Sequence, residues 1–181
     1  MASTNLLFLF LFILLSSSAN SARLLGEEDL IATTCGHTLY VDLCLSSLRE
    51  DPRSETADLK GLAKIALDIS LVNATKMISH LTQLKSQNDT SLPFDSFFSS
   101  CMDDCIDEYQ EAAGNLEDAN DALEKNSLAT VDSLITAAMT DSDTCEDGFG
   151  DKEEMESPLT EKNREFSNLC SNALAIATLL G

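Results

Sequence analysis

The stretch FSSCMDDCIDEYQEAAGNLEDANDAL (residues 98–123) has the apolar periodicity of a long amphipathic helix. Its apolar residues step alternately by four and three positions, which places them along one side of a helix. These residues are Phe98, Met102, Cys105, Tyr109, Ala112, Leu116, Ala119 and Leu123. Glycine and proline, which interrupt helices, number only 7 and 3 in the whole chain. We therefore predict a helix here with one buried face.

Three further stripes have the same spacing, one before this helix along the chain and two after it, so this helix is the second of four. The first is Ala63, Leu67, Ser70, Ala74, Met77, Leu81 and Leu84. The third is shorter and follows a cap at Asn126 or Ser127: Leu128, Val131, Ile135 and Ala138. The last follows a cap at Ser157 and Pro158 in the first turn: Phe166, Leu169, Ala173, Ile176 and Leu180. Four such stripes predict an all-α fold, an antiparallel up-down four-helix bundle over residues 56–181. A small helical unit over residues 27–50 precedes it, joined through residues 50–58.

The chain opens with a segment typical of a secretory leader. Residues 6–15 are consecutive apolar residues, and the small polar run SSSANSA follows them. Such a segment is too short to span a bilayer, and the small residues suit a signal peptidase. We predict a signal peptide over residues 1–22, cleaved after Ser21 or Ala22, and a mature domain over residues 23–181.

The charge of the chain is strongly negative. Asp and Glu number 31 against 11 Lys and Arg, a net charge of -20. A field of that sign repels nucleic acid, anionic lipid and acidic polysaccharide, and it favours basic partners. The alternative is that the charge only keeps a secreted protein soluble.

The six cysteines are interpreted as disulfide partners, as is usual in a secreted chain. Zinc binding is disfavoured, because the chain has no CxxC motif and its two histidines, His37 and His80, are not spaced with the cysteines as zinc ligands. No metal and no cofactor is predicted. Cys35 and Cys44 would close a local hairpin. Of the other four cysteines, Cys101 and Cys170 are expected either to form a third disulfide or to remain as two buried thiols.

In an antiparallel bundle the end of the third helix lies beside the beginning of the second, so Cys145 is expected to bond Cys105. The stretch TDSDTCEDGFG (residues 140–150) is then expected to end the third helix on the disulfide and to turn at its glycine. The crosslink would bring two acidic sets together on an exposed surface: Asp107, Glu108 and Glu111, and Asp141, Asp143, Glu146 and Asp147. Clustered like charge costs stability, which a basic partner would offset.

Two sequons, Asn73-Ala74-Thr75 and Asn88-Asp89-Thr90, are candidate N-glycosylation sites, of which Asn88 is favoured because it falls in a polar loop. No catalytic constellation is present: the chain has no GxSxG, no HExxH, no phosphate-binding glycine loop and no tryptophan. An acidic, disulfide-braced bundle without an active site favours a binding protein over an enzyme.

The chain resembles the plant invertase/pectin methylesterase inhibitor family over essentially all of its mature length. The matching pieces are TTCGHTLYVDLCLSSL, DPRSETADLKGLA, CIDEYQEA, AAMTDSDTCEDGF and SPLTEKNREFSNLCSNALAI. The resemblance implies a helical hairpin on a four-helix bundle, with disulfides Cys35–Cys44 and Cys105–Cys145 and an unbonded thiol at Cys170. It also implies a secreted, apoplastic or cell-wall inhibitor that forms a stoichiometric non-covalent complex with its target enzyme.

The two branches of that family differ in target. Invertase inhibitors typically carry a Pro-Lys-Phe stretch, where this chain has Leu128, Ala129 and Thr130. The contact positions of pectin methylesterase inhibitors, which occlude the pectin-binding groove, fall on Asp107, Glu108, Glu111, Thr144 and Asp147, with Gly114 where a polar residue is common. We therefore expect a pectin methylesterase inhibitor, with an acid invertase inhibitor as the alternative. Two further hypotheses are a secreted helical protein without inhibitory activity and a carrier of apolar ligands.

Overall fold

The computed structural model describes residues 29–86, 96–150 and 157–181. Within these ranges no helix has both the length and the apolar character needed to cross a membrane. The predicted leader over residues 1–22, the sequon asparagine Asn88 and residues 27–28 of the predicted hairpin lie outside the described residues.

The described residues form an all-α protein, as the sequence predicted. Two short helices come first, α1 (Leu30–Cys35) and α2 (Val41–Glu50), followed by a 3-10 helix (Pro52–Thr56). Four long helices follow: α3 (Leu59–Ser86), α4 (Ser96–Glu124), α5 (Leu128–Gly150) and α6 (Thr160–Thr178). Each long helix packs against two others, in the ring order α3, α4, α5, α6 and back to α3. The predicted four-helix bundle is confirmed.

The core consists of the apolar stripes that the sequence marks. On α4 all eight predicted stripe residues are buried, and on α3 all but Leu84. Two aromatic pairs close the core across helices. The rings of Phe98 and Phe149 lie 5.7 Å apart, and those of Tyr109 and Phe166 lie 5.2 Å apart in an edge-on arrangement. Such pairs contribute about 0.5–1.5 kcal/mol each beyond their burial.

The N-terminal hairpin is held by the predicted Cys35–Cys44 disulfide, whose Cα atoms lie 5.6 Å apart. It docks on the bundle through a buried amide: the side chain of Asn172 on α6 accepts from the backbone N–H of Tyr40 and donates to its carbonyl. Arg53 in the 3-10 helix pairs with Asp51 and with Asp68 on α3, at 2.7 Å each. The joining segment predicted over residues 50–58 thus contains a 3-10 helix that an ion pair holds to α3.

The prediction for the end of the third bundle helix was wrong. Helix α5 continues through residues 140–150 without turning at Gly148. Phe149 is buried against Phe98, and this packing outweighs the roughly 1 kcal/mol that a glycine costs inside a helix.

The last helix also begins later than predicted, at Thr160, with Leu159 at the cap position. The Ser157 hydroxyl accepts from the Leu159 N–H at 3.1 Å, so it shapes the turn before the helix.

The third disulfide that the sequence allowed is not formed, and Cys101 and Cys170 are buried thiols. The Cys101 thiol lies on the side of α4 that faces α5, where it donates to the Gly148 carbonyl. Cys170 lies on α6, which is diagonal to α4 in the bundle. The two thiols are also offset along the bundle axis. Tyr109 on α4 packs against Phe166 on α6. Cys101 lies two turns before Tyr109, whereas Cys170 lies one turn after Phe166. Burial raises the pKa of the Cys170 thiol to about 12, so this thiol stays protonated.

Candidate functional site

Helices α4 and α5 are fixed against each other in one antiparallel register. The Cys105–Cys145 disulfide joins them with a Cα–Cα distance of 4.6 Å, as predicted. On one side of this bond the Cys101 thiol donates to the Gly148 carbonyl, and on the other the Asn115 amide donates to the Asp141 carboxylate at 2.9 Å. Three contacts along the seam between the two helices therefore fix its register.

Acidic side chains line this seam and the solvent side next to it. We call this surface the acidic face and define it by Asp104, Asp107, Glu108, Glu111, Asp141, Asp143, Thr144 and Asp147. Asp107, Glu111, Thr144 and Asp147 are exposed, whereas Glu108 and Asp141 are half-buried in the seam. All five predicted contact residues therefore lie on the two helices that the disulfide joins, within two turns of it.

The carboxylates of the acidic face influence one another. Burial raises the pKa of Glu108, and the charges of Asp141 and Glu111 raise it further. Burial and Glu111 likewise raise the pKa of Asp141, although the Asn115 amide opposes this shift. The pKa of Asp143 is raised by burial and by Asp147. Burial in the first place, and repulsion between neighbouring carboxylates in the second, therefore disfavour ionisation of Glu108, Asp141 and Asp143.

No cation of the described residues compensates the acidic face. Helices α4 and α5 carry nine and five carboxylates and no lysine or arginine. Two of the lysines of α3 pair with other carboxylates of α4: Lys85 with Asp103, and Lys64 with Glu124. A surface with this much unneutralised charge, fixed by a disulfide, is suited to a partner that brings cations.

Gly114 lies at the edge of this surface. It is exposed, and a side chain added there would meet no atom within 4 Å. The contact surface therefore has no side chain at the position where the family resemblance led us to expect a polar group.

Glu146 is not part of the acidic face, although the sequence placed it there. It follows Cys145 on the flank of α5 that faces α6, and it is only half-exposed. Its carboxylate accepts from the Ser157 hydroxyl at 2.8 Å, from the Thr160 hydroxyl and from the Asn163 amide at 2.6 Å. Glu146 therefore connects the end of α5 to the beginning of α6.

Asn163 completes this connection inside the core, and no pattern in the sequence predicted its role. Only 5% of Asn163 is exposed, and its side-chain oxygen accepts from the Tyr109 hydroxyl at 2.8 Å. Its amide lies next to the Cys145 sulfur at 3.7 Å. The network thus holds three helices together directly behind the disulfide.

Replacing Asn163 by alanine is expected to lower the free energy of unfolding by about 2–3 kcal/mol, because Tyr109 would lose a buried hydrogen bond and Glu146 a partly buried one. Urea denaturation of the purified protein measures this. Asn168→Ala on the same helix is the matched control, since the Asn168 side chain makes no hydrogen bond to any described residue. Equal destabilisation by the two variants would contradict a structural role for the network.

The model of the family "Plant invertase/pectin methylesterase inhibitor" matches residues 29–176. The chain belongs to this family. Among the described residues no group of three or more His, Cys, Asp or Glu side chains is placed to hold a metal ion.

Relatives named for both kinds of target are similar to this chain. A "Putative invertase inhibitor" of Platanus acerifolia is 32% identical over 177 residues, covering 97% of this chain and 95% of the relative. A "Pectinesterase inhibitor" of Actinidia deliciosa is 29% identical over 176 residues, covering 97% of this chain and 91% of the relative. The crystal structure of a mutant form of an Arabidopsis pectin methylesterase inhibitor superposes with a TM-score of 0.67 at 27% identity, covering 84% of this chain and 97% of that one.

Proposed function

We propose that this protein inhibits pectin methylesterase by docking its acidic face across the pectin-binding groove of the enzyme. Asp107, Glu111, Thr144 and Asp147, with Glu108 behind them in the seam, are the contact residues of this proposal. The observation that carries it is the set of carboxylates, held by the Cys105–Cys145 bond, that no cation of the described residues compensates. The complex is non-covalent and stoichiometric, and it excludes substrate sterically.

Residues 128–130 favour pectin methylesterase over invertase as the target. Leu128, Ala129 and Thr130 form the first turn of α5, about 25 Å along the helix from Cys145. Leu128 is half-buried in a small cleft with Leu174 and Ala177. This turn supplies neither the cation nor the aromatic ring of a Pro-Lys-Phe stretch. Inhibition of acid invertase is the second candidate, because similar relatives are named for that activity.

Titration of both purified enzymes with the oxidised protein tests the proposal. Equimolar protein is expected to abolish most of the pectin methylesterase activity and to leave acid invertase active. The reverse result would transfer the function to invertase. Undiminished activity of both enzymes would favour a secreted protein without inhibitory activity.

We further propose that residues 1–22 are removed and that the mature chain acts in the apoplast or cell wall. The relative named "Cell wall / vacuolar inhibitor of fructosidase 2" of Arabidopsis thaliana, 28% identical over 92% of this chain, supports a location outside the cytosol. Edman sequencing of protein recovered from apoplastic fluid should begin at Ala22 or Arg23. Recovery of an intact leader would contradict this.

Inhibition is expected to weaken as the pH falls into the carboxyl range. The pKa values of Glu108 and Asp141 lie above their ordinary values of 4.5 and 3.8. Both groups are therefore protonated at a higher pH than free carboxylates, so the attraction for a cationic partner begins to weaken at a higher pH than it would for free carboxylates. Protonation of these two groups is expected to raise the free energy of unfolding, because it removes the cost of burying their charges and relieves their repulsion. The affinity measured calorimetrically between about pH 7 and about pH 4 checks the sign. Affinity that is unchanged over this range would contradict the role of the acidic face.

A further inference from the structure

A groove runs along the side of the bundle opposite the acidic face, between α3, α6 and the N-terminal hairpin. It consists of two open clefts of about 470 Å³ and 330 Å³. Three residues line both clefts and make them continuous: Asn73, Lys76 and Glu165. Each cleft falls within the size range, about 300–1,000 Å³, of sites that hold small organic ligands.

Asn73 lies where the two clefts meet and is the acceptor of the sequon Asn73-Ala74-Thr75. Ala74 beside it is completely buried, whereas Asn73 is only half-buried and lines both clefts. Within the described residues the Asn73 amide has no hydrogen-bond partner. Such a side chain can carry a modification in the folded protein without the loss of a hydrogen bond.

The folded helix is not a substrate for this modification. Asn73 lies in the middle of α3, and the Thr75 hydroxyl donates to the Leu71 carbonyl within the helix at 3.0 Å. The acceptor reaction needs the sequon in an accessible conformation with the threonine hydroxyl available. Transfer to Asn73 must therefore occur while the chain enters the secretory pathway, before α3 packs.

We propose that Asn73 carries an N-linked glycan, added before folding, whose first sugar residues lie in the groove between α3, α6 and the hairpin. The lining suits a sugar chain, which has apolar ring faces and hydroxyl edges. Val72 is 50% exposed at the rim and supplies apolar surface beside Ile69. Ser46 and Ser47 offer hydroxyl oxygens on α2, and Lys76 and Glu165 offer charged groups.

The position of this glycan is compatible with the docking surface. In the ring of helices the seam between α3 and α6 is opposite the seam between α4 and α5. The glycan covers the side of the bundle that the proposed complex leaves exposed, so the acidic face remains accessible in the glycosylated protein.

Expression of the full chain in leaf cells, followed by peptide mapping of the secreted protein, tests the occupancy of Asn73. We expect the Asn73 peptide to be glycosylated in the natural sequence and in Thr75→Ser, which keeps the sequon and the hydroxyl. We expect the modification to be lost in Thr75→Ala. Asn88, if it is occupied, is mapped on a separate peptide and does not interfere. An unmodified Asn73 peptide in the secreted natural sequence would overturn the proposal.

Lysine acylation tests whether the glycan lies in the groove. Lys76 lines both clefts, whereas Lys125 is exposed in the turn between α4 and α5 and serves as the internal reference. Acylation of Lys76 relative to Lys125 is expected to rise severalfold when Thr75→Ala removes the glycan, and to stay unchanged in Thr75→Ser. Equal reactivity of Lys76 with and without the glycan would show that the sugars extend away from the groove. Enzyme inhibition is measured separately, so this proposal can fail while the inhibitor proposal stands.

Discussion

Replacing Cys105 and Cys145 together by alanine is expected to lower the free energy of unfolding by about 4 kcal/mol. The bond closes a loop of 40 residues, and a loop of that length confers about 4 kcal/mol through the reduced entropy of the unfolded chain. For a domain of this size the loss corresponds to a decrease of about 10 °C in melting temperature. Differential scanning calorimetry of the oxidised proteins measures it.

The same double variant is expected to lose inhibitory activity beyond what its stability explains. The disulfide is the middle of three contacts that set the register of α4 against α5, and the outer two are single hydrogen bonds from Cys101 and Asn115. Without the bond, the two halves of the acidic face can shift relative to each other, so the partner must pay for their ordering on binding.

Cys35→Ala combined with Cys44→Ala is the matched control for this prediction. Its loop of 9 residues confers about 2.5 kcal/mol, and it lies in the hairpin, away from the seam between α4 and α5. The control is expected to be less stable than the natural protein and to keep its affinity at temperatures where it is folded. Full inhibition by the folded Cys105/Cys145 variant would contradict the role of the bond in holding the acidic face.

The sequence was sufficient to predict the bundle because its signals are local and repeated. Each apolar stripe keeps a helical period over several turns, and a long periodic run has few alternative explanations. Cys105–Cys145 could be predicted as well, because the topology of an antiparallel bundle alone brings these two positions together. The register of the acidic residues on α4 and α5 followed from the same bond.

The errors have a common physical cause, which is packing between helices that no local pattern reports. Gly148 is a turn signal by its own preference, but the burial of Phe149 against Phe98 keeps α5 helical past it. Whether Cys101 could reach Cys170 depended on the diagonal relation of α4 to α6 and on their axial offset. Neither quantity can be read from spacing along the chain.

The division of the acidic residues into two groups was equally hidden. Asp147 and Glu146 are neighbours in sequence, yet one is exposed on the acidic face and the other binds Ser157, Thr160 and Asn163. Adjacent helical positions are rotated by about 100° around the axis, so consecutive carboxylates face different neighbours. Only the positions of the donors in α6 and in the turn before it decide which carboxylate has a structural role.

Neutralising three exposed carboxylates of the acidic face is expected to weaken the complex with pectin methylesterase on the order of a hundredfold. The variant is Asp107→Asn, Glu111→Gln and Asp147→Asn, and all three side chains are exposed, so the fold is expected to be unaffected. A hydrogen bond to a charged group contributes about 1.5–3 kcal/mol, of which the neutral amide keeps a part, so three losses of about 1 kcal/mol each approach 3 kcal/mol. Surface plasmon resonance at fixed salt measures the dissociation constant and the association rate.

The control must separate the position of the charges from their number. Glu117→Gln, Asp118→Asn and Asp121→Asn remove the same three charges from exposed positions of α4, two to three turns beyond the acidic face. A general attraction by net charge would weaken both triple variants equally, mainly through the association rate, and the difference would vanish at high salt. Direct contact predicts instead a faster dissociation in the Asp107/Glu111/Asp147 variant alone, which persists at high salt. Equal effects of the two variants would reduce the acidic face to a source of long-range steering and leave the docking surface elsewhere on the bundle.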